Sequence, residues 1–442
     1  MNPLRPVPQL RAHPNYERLV SLAAESEKRG RDPFLASDRD IALARLYSHA
    51  FRRHVIGAFH ATRQEIGAAP FDRGPKDSPA AMQLARAIDV LAELANRSMD
   101  PVGRDVRALV STFNFYARNI QHVVSALHEA CRLTGHAGLQ LIHDRFVTHM
   151  EEITSCNGIS LTRDTSAPPQ GSFVVPSLGI TIVPLVYGDQ ISWNLAWLDG
   201  QRSDVPCHLH REGIEIHLGY SPLHGYTILG NAKAEVTEGY AMPIPPGTRH
   251  GYTNLGKQTH HVPFIFGSHS LGGWGVFLDV EAKPTDSSGM VDRVVMAPEL
   301  NGTVFLEREI GRAAAEAVTH RRAIIPAART YRPDTGGIEL SLARVAEDPL
   351  VLSSPFFRAV SVVRGHGRLL VAGEEVEIGP RDHFGIPAGL QATVKGSGAS
   401  SHEPFVFLDA ILQADPSEDA KTLEEQQSLF DRLLPNLPKR EP

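Results

Sequence analysis

The 442-residue chain is predicted to be an α+β protein, with a helical first third followed by two β-barrels. Three observations carry that expectation. Apolar residues recur at helical spacing up to about residue 155, and the pattern then stops. From about Ser160, Gly, Pro and β-branched residues divide the chain into short alternating segments, as in a sandwich or barrel. Several of the 21 histidines cluster between residues 208 and 269, within segments of strand character.

In the helical third, ERLVSLAAESEKRG forms a first short amphipathic helix. A second is capped by Ser37 or Asp38 and runs through IALARLYSHAFRRHVIGAFHATRQEIG. A third spans Ser78 to Asn96, with Pro79 at its first turn. A fourth stretch starts at Pro101, is interrupted near Gly135 and Gly138, and ends around Ile153. The histidine pairs here are His54 and His60, His122 and His128, and His143 and His149. None has the Glu-x-x-His spacing of a di-iron bundle, so structural roles are assigned to them, with a second metal site as the minor alternative. The domain division is 1–158 helical, 159–282 first barrel, 283–322 connector with a helix, 323–413 second barrel, and 414–442 helix and tail.

Composition limits function. Hydrophobic residues are 42% and charged residues 21%, as in ordinary globular proteins. A net charge of −6 with no basic run excludes a nucleic-acid or anionic-membrane footprint. No apolar run approaches the ~20 residues that span a bilayer. The N-terminal stretch lacks an apolar signal core, and three scattered cysteines build no disulfide framework, so a cytoplasmic location is expected.

The candidate chemistry lies between Cys207 and Asn254. Alternation along a strand puts His208 and His210 on one face. Glu215 follows a short turn at Glu212–Gly213, and His250 follows the tight turn Pro245-Pro246-Gly247. Three imidazoles and a carboxylate suit Fe(II), Mn(II), Ni(II), Zn(II) or Cu(II) and leave positions open on an octahedral ion. Glu212 is a rival carboxylate. His217 shares the face of Glu215 and is a tentative acid/base or substrate contact, with a packed core histidine as the alternative. Trp193, Trp197, Tyr252 and Phe266 are candidate pocket-lining aromatics, with core packing as the default.

These residues resemble the two motifs of the cupin superfamily. His208-Leu209-His210 and Glu215 match the first motif, although Gly200 lies further upstream than the motif asks and Gly225 stands in for its later glycine. Gly239, Pro245, Gly247, His250 and Asn254 match the second at every interval. Gly239 would permit the turn into a strand, and Asn254 would hold the Pro-Gly turn by a backbone hydrogen bond. The segment GEEVEIGPRDHFGIPAGLQATVKG is similar to the second half of another cupin, but Ala392 stands at the histidine and Gly396 at the asparagine. The resemblance implies a bicupin of jelly-roll-like barrels, one live and one degenerate. It implies one divalent first-row metal per chain, Fe(II) favoured, a small-molecule substrate and a possible homo-oligomer. A dioxygenase-type oxygenase is the leading activity. An O2-independent isomerase, epimerase or lyase, or a non-catalytic binding cupin, are the alternatives.

Overall fold

The computed structural model describes residues 12–30, 36–68, 106–135, 137–163, 172–175, 180–198, 204–219, 224–255, 260–268, 280–282, 293–294, 296, 300, 302–332, 336–396 and 403–413. The expected helices at 78–96 and 414–442 lie outside these residues.

Among the described residues the N-terminal part holds four helices: α1 (Pro14–Arg29), α2 (Asp38–Ala68), α3 (Val106–Thr134) and α4 (Ala137–Ser155). Ser37 caps α2. Its Oγ accepts from Asp40 N (3.1 Å) while Asp40 Oδ2 accepts from Ser37 N (3.1 Å), a reciprocal box that satisfies two otherwise orphan donors. Gly135, at φ 64°, separates α3 from α4, because a left-handed residue ends a helix and glycine adopts it without steric penalty. Tyr16, Tyr47, Phe51 and Phe113 interlock as edge-on and tilted rings at the helical core.

The remainder is two β-sandwiches, each of two facing sheets, in keeping with the jelly-roll-like barrels expected from the sequence. In the first, a sheet ordered 280–282, 204–210, 250–254, 225–229, 232–236, 293–294 faces one ordered 304–305, 240–244, 214–219, 260–267, 191–198, 180–187, 173–175. In the second, the order 350–352, 392–396, 367–371, 374–378 faces 162–163, 382–386, 358–364, 405–413, 337–345, 320–325. Pairing is antiparallel except between 293–294 and 232–233. Helix α5 (Leu306–Ala315) joins the two.

Side-chain alternation gives each large sheet two apolar faces. One face of each lines its own sandwich. The other faces, including Trp193, Leu195, Ile216 and Ile265 from the first and Leu340, Leu342, Leu408 and Ala410 from the second, form one buried layer. The helical part packs on the second sandwich. Arg45 donates to Ala388 O (2.6 Å), Arg39 pairs with Glu374 (2.6 Å), and His49 lies against Phe357. Among the described residues no helix is long and apolar enough to cross a membrane.

Candidate metal centre

The strand Asp204–His210 places His208 and His210 inside the first sandwich, and its neighbour His250–Asn254 pairs His250 directly with His208. A bulge between His250 and Tyr252 shifts the register there, so that Val205 as well as His208 faces the core. From the facing sheet, the strand Ile214–Gly219 brings in Glu215, which pairs with Ile244 and Phe266. The four expected ligands converge. Their ligand atoms lie within 4.8 Å of one another, and all four residues are buried.

The hydrogen bonds around the rings fix their chemistry. His208 Nδ1 donates to Pro206 O (2.8 Å) and His250 Nδ1 to Thr248 O (3.0 Å). A neutral imidazole that donates from Nδ1 has its lone pair on Nε2, so both rings present Nε2 as a ligand. His210 Nε2 lies 2.9 Å and His250 Nε2 3.3 Å from Glu215 Oε2. Neither contact has hydrogen-bond geometry, and both Nε2 atoms are buried without a hydrogen-bond partner. Buried polar atoms are rarely orphaned, and a cation at their centre is what this donor set fits.

The electrostatics agree for Glu215 and His208, while at His250 burial is outweighed by the Glu215 carboxylate, which raises the ring above its ordinary value and holds a proton that a cation would displace. Burial alone would raise the Glu215 carboxyl, but His250 and His210 outweigh it and hold the group well below its ordinary range. Burial, reinforced by His250 and His210, keeps the His208 ring neutral, far below its ordinary value. An ionised carboxylate and neutral imidazoles are the forms that ligate a metal. Glu212, the rival carboxylate, lies in the 211–212 bend outside the strands, where its backbone carbonyl accepts from Ser268 Oγ (3.0 Å).

His217 sits one pleat beyond Glu215 on the same strand and is buried. Burial pushes its ring down to about 4, against the pull of Glu215. Its Nδ1 is 3.5 Å from Tyr240 Oη, and the Tyr252 ring stands edge-on to it at 6.2 Å. Tyr240 was not among the sequence candidates. It could have been found by running the alternation back from Pro245, since Ile244, Met242 and Tyr240 all face the interior.

Of the four aromatics, the structure brings two to the site. Phe266 stands edge-on to His210 at 5.2 Å, in space that Gly213 leaves open: a Cβ there would lie 2.0 Å from the Phe266 ring. Tyr252 packs in the same interior cluster. Trp193 and Trp197 do not line the site. They occupy odd positions on the Ile191–Leu198 strand, whose even positions face the interior. Trp193 is instead buried between the sandwiches, and Trp197 stacks on His261 at 4.1 Å. Gly239 approaches the Gly219 carbonyl, where a Cβ would meet oxygen at 3.1 Å. Gly247, at φ 74°, completes the Pro245 turn and donates to His210 O (2.6 Å), tying the two ligand strands together. Asn254 pairs in register with Gly225, at the far end of its strand from that turn.

No protein-family model matches the sequence, and no curated protein matches it. Solved structures of similar fold include salicylate 1,2-dioxygenase from Pseudaminobacter salicylatoxidans, at 12% identity over 53% of this chain and 76% of that one, TM-score 0.41. The same enzyme as an adduct with gentisate aligns at 13% identity over 51% and 69%, TM-score 0.40. The protein Ylba from E. coli aligns at 11% identity over 59% and 93%, TM-score 0.39. At these identities and scores the likeness carries no argument about activity. The two facing sheets and the converged ligands are the arrangement that the motif resemblance to the cupin superfamily implies.

Proposed function

We propose that the chain is a metal-dependent cupin enzyme that acts on a small organic molecule through His208, His210, Glu215 and His250. The observation that carries this reading is the convergence of buried Nε2 atoms, orphaned of hydrogen bonds, on an ionised carboxylate. The favoured ion is Fe(II), with Mn, Zn, Ni or Cu as possible occupants, and the favoured reaction is a dioxygenase-type oxygenation. A bound Fe(II) supplies redox chemistry toward dioxygen and open positions for substrate. The chain supplies the rest. The Nδ1 bonds of His208 and His250 hold the ligand rings in place. Phe266, Tyr252 and Ile244 wall the interior with apolar surface and keep water out.

A second reading has one specific support. His217 is a neutral buried imidazole whose Nδ1 faces Tyr240 Oη, a pair able to take up and return a proton at Nδ1. That would serve an isomerase or lyase in which the ion acts as Lewis acid. The test is O2 consumption by the Fe(II)-loaded protein against a panel of phenols, diketones and keto acids, alongside elemental analysis of protein isolated from its native host. Turnover that consumes O2 and needs iron is expected. Turnover without oxygen, restored by Zn or Mn, overturns the oxygenase reading in favour of the isomerase or lyase. Metal binding with no turnover under any condition leaves a binding cupin.

A further inference from the structure

We propose that His54, His149 and Glu152 form a second divalent-metal site, of the zinc class, between α2 and α4 and independent of the β-sandwich centre. The two imidazoles come from different helices and meet with their Nδ1 atoms 2.8 Å apart. Glu152 stands three residues after His149, the spacing that places both on one face of α4. Its Oε2 lies 3.6 Å from His149 Nδ1 and 3.8 Å from His54 Nε2. One ligand atom from each residue falls within a 4.8 Å cluster. Ligand atoms held about 2.1 Å from a tetrahedral ion are separated by roughly 3.4 Å, and the 2.8 Å and 3.6 Å that separate His149 Nδ1 from His54 Nδ1 and Glu152 Oε2 lie either side of that value.

A plain hydrogen bond between the rings accounts for less. One proton shared between the two Nδ1 atoms joins only the two rings, whereas a cation at those atoms would engage Glu152, which already lies against His149, as well. The protonation states suit a ligand set. Burial, with His149 and Arg53 nearby, keeps His54 neutral. Glu152 is held below the ordinary carboxyl range, first by His149. Both rings are buried while the Glu152 side chain is 55% exposed, so one side of the cluster opens to solvent and provides an entry path. Two imidazoles and one carboxylate leave a fourth tetrahedral position for water, which is the composition of an open zinc site.

The site can be counted separately from the cupin centre. Full-length protein is titrated with Co(II) or Zn(II), as wild type and as His208→Ala/His250→Ala. Wild type is expected to bind two ions and the double variant one, with Co(II) giving visible four-coordinate bands in both. In the double-variant background, His149→Ala is expected to bind none. Because the Glu152 side chain is exposed, Glu152→Gln should leave the fold intact. It is expected to weaken the remaining ion by at least about tenfold, given that even an outer-shell partner is worth 10–100-fold. If His149→Ala does not fold, Glu152→Gln decides alone. A folded double variant that binds no ion, or a Glu152→Gln variant that titrates like its parent, overturns the proposal.

Discussion

The two β-sandwiches share a strand plan and differ at every ligand position. Their registers make the comparison residue by residue. His250 pairs with His208, and in the second sandwich Ala392 pairs with Leu352. Gly247 N donates to His210 O (2.6 Å), and Gly389 N donates to Ser354 O (2.8 Å). Glu215 pairs with Ile244, which precedes the Pro245 turn, and Arg358 pairs with Ile386, which precedes the Pro387 turn. The equivalents are therefore Leu352 for His208, Ser354 for His210, Arg358 for Glu215 and Ala392 for His250. One sandwich places an anion where a cation is to be held. The other places a cation of its own. Arg358 is buried and bonded to Asp409 and to Ser353 O (2.9 Å), and Asp409 is shared with Arg321 (2.6 Å), which also reaches Glu339 (2.7 Å). The same scaffold can be tied at its centre by a metal or by a guanidinium, and only the first leaves open positions for chemistry.

The largest expected effect tests the metal half. His208→Ala/His250→Ala should remove one ion per chain by elemental analysis. Leu352→His/Ala392→His should add none, because Arg358 keeps a positive charge where the carboxylate would be. An extra ion in that variant would break the comparison. The next effect falls on the other half. Arg358→Ala strands Asp409 in the interior with only Arg321 to answer it, and removing one member of a buried pair costs roughly 3–5 kcal/mol. Chemical denaturation reads this directly. Glu215→Gln, the same position in the first sandwich, should chiefly lose metal. Arg358→Ala without loss of stability would show that the guanidinium does not replace the ion.

Much of the first site was legible because a short motif at fixed spacing encodes it, and strand alternation puts His208 on one face with His210 and Glu215 on one face with His217. The absence of ligands in the second sandwich was legible at Ala392. What replaced them was not. Arg358, Asp409, Arg321 and Glu339 come from four different strands, 358–364, 405–413, 320–325 and 337–345, and only the register brings them together. Trp193 and Trp197 misled for the opposite reason. Aromatic composition near a site says nothing of the face, whereas the pairing of Trp193 with Ile265 in the buried layer between the sandwiches does. His54 lies 95 residues from His149 and on a different helix from His149 and Glu152, beyond the reach of a motif.

A smaller effect is expected from pH. His217 corresponds by register to Val360, since both stand two residues past the Glu215 and Arg358 positions. The folded-state pKa of His217 is depressed to about 4, from an ordinary 6.5. The ring is therefore neutral in the fold, while the unfolded chain takes up a proton below 6.5. Its contribution is complete above that value and is lost as pH falls from 6.5 toward 4. For metal-free protein, stability should drop by about 2 kcal/mol from this group between pH 7.5 and 5. His217→Val, which copies the second sandwich, should flatten that part of the profile in denaturant melts.

The smallest effect concerns what the sandwiches kept in common. Gly247 and Gly389 adopt φ 74° and 73°, and each follows a proline by two residues in a turn closed by the next amide: Thr248 N to Pro245 O (3.2 Å) and Leu390 N to Pro387 O (3.1 Å). A left-handed residue with a Cβ costs about 1–2 kcal/mol, so Gly247→Ala and Gly389→Ala should each cost that much in stability. The stability losses should be of similar size, with Gly389→Ala the larger, because a Cβ there would lie 3.0 Å from Arg45 Nη1 while one at Gly247 would meet nothing within 4 Å. Their effects on metal should not match. Gly247 bonds to the His210 carbonyl and leads directly into His250, so Gly247→Ala should weaken the ion proposed at His208, His210, Glu215 and His250 while Gly389→Ala leaves it untouched. Similar stability losses with unequal metal losses would assign the turn to the fold and the histidine after it to the chemistry. A turn whose substitution is silent in the second sandwich would mean instead that the metal site, not the sandwich, requires the strained conformation.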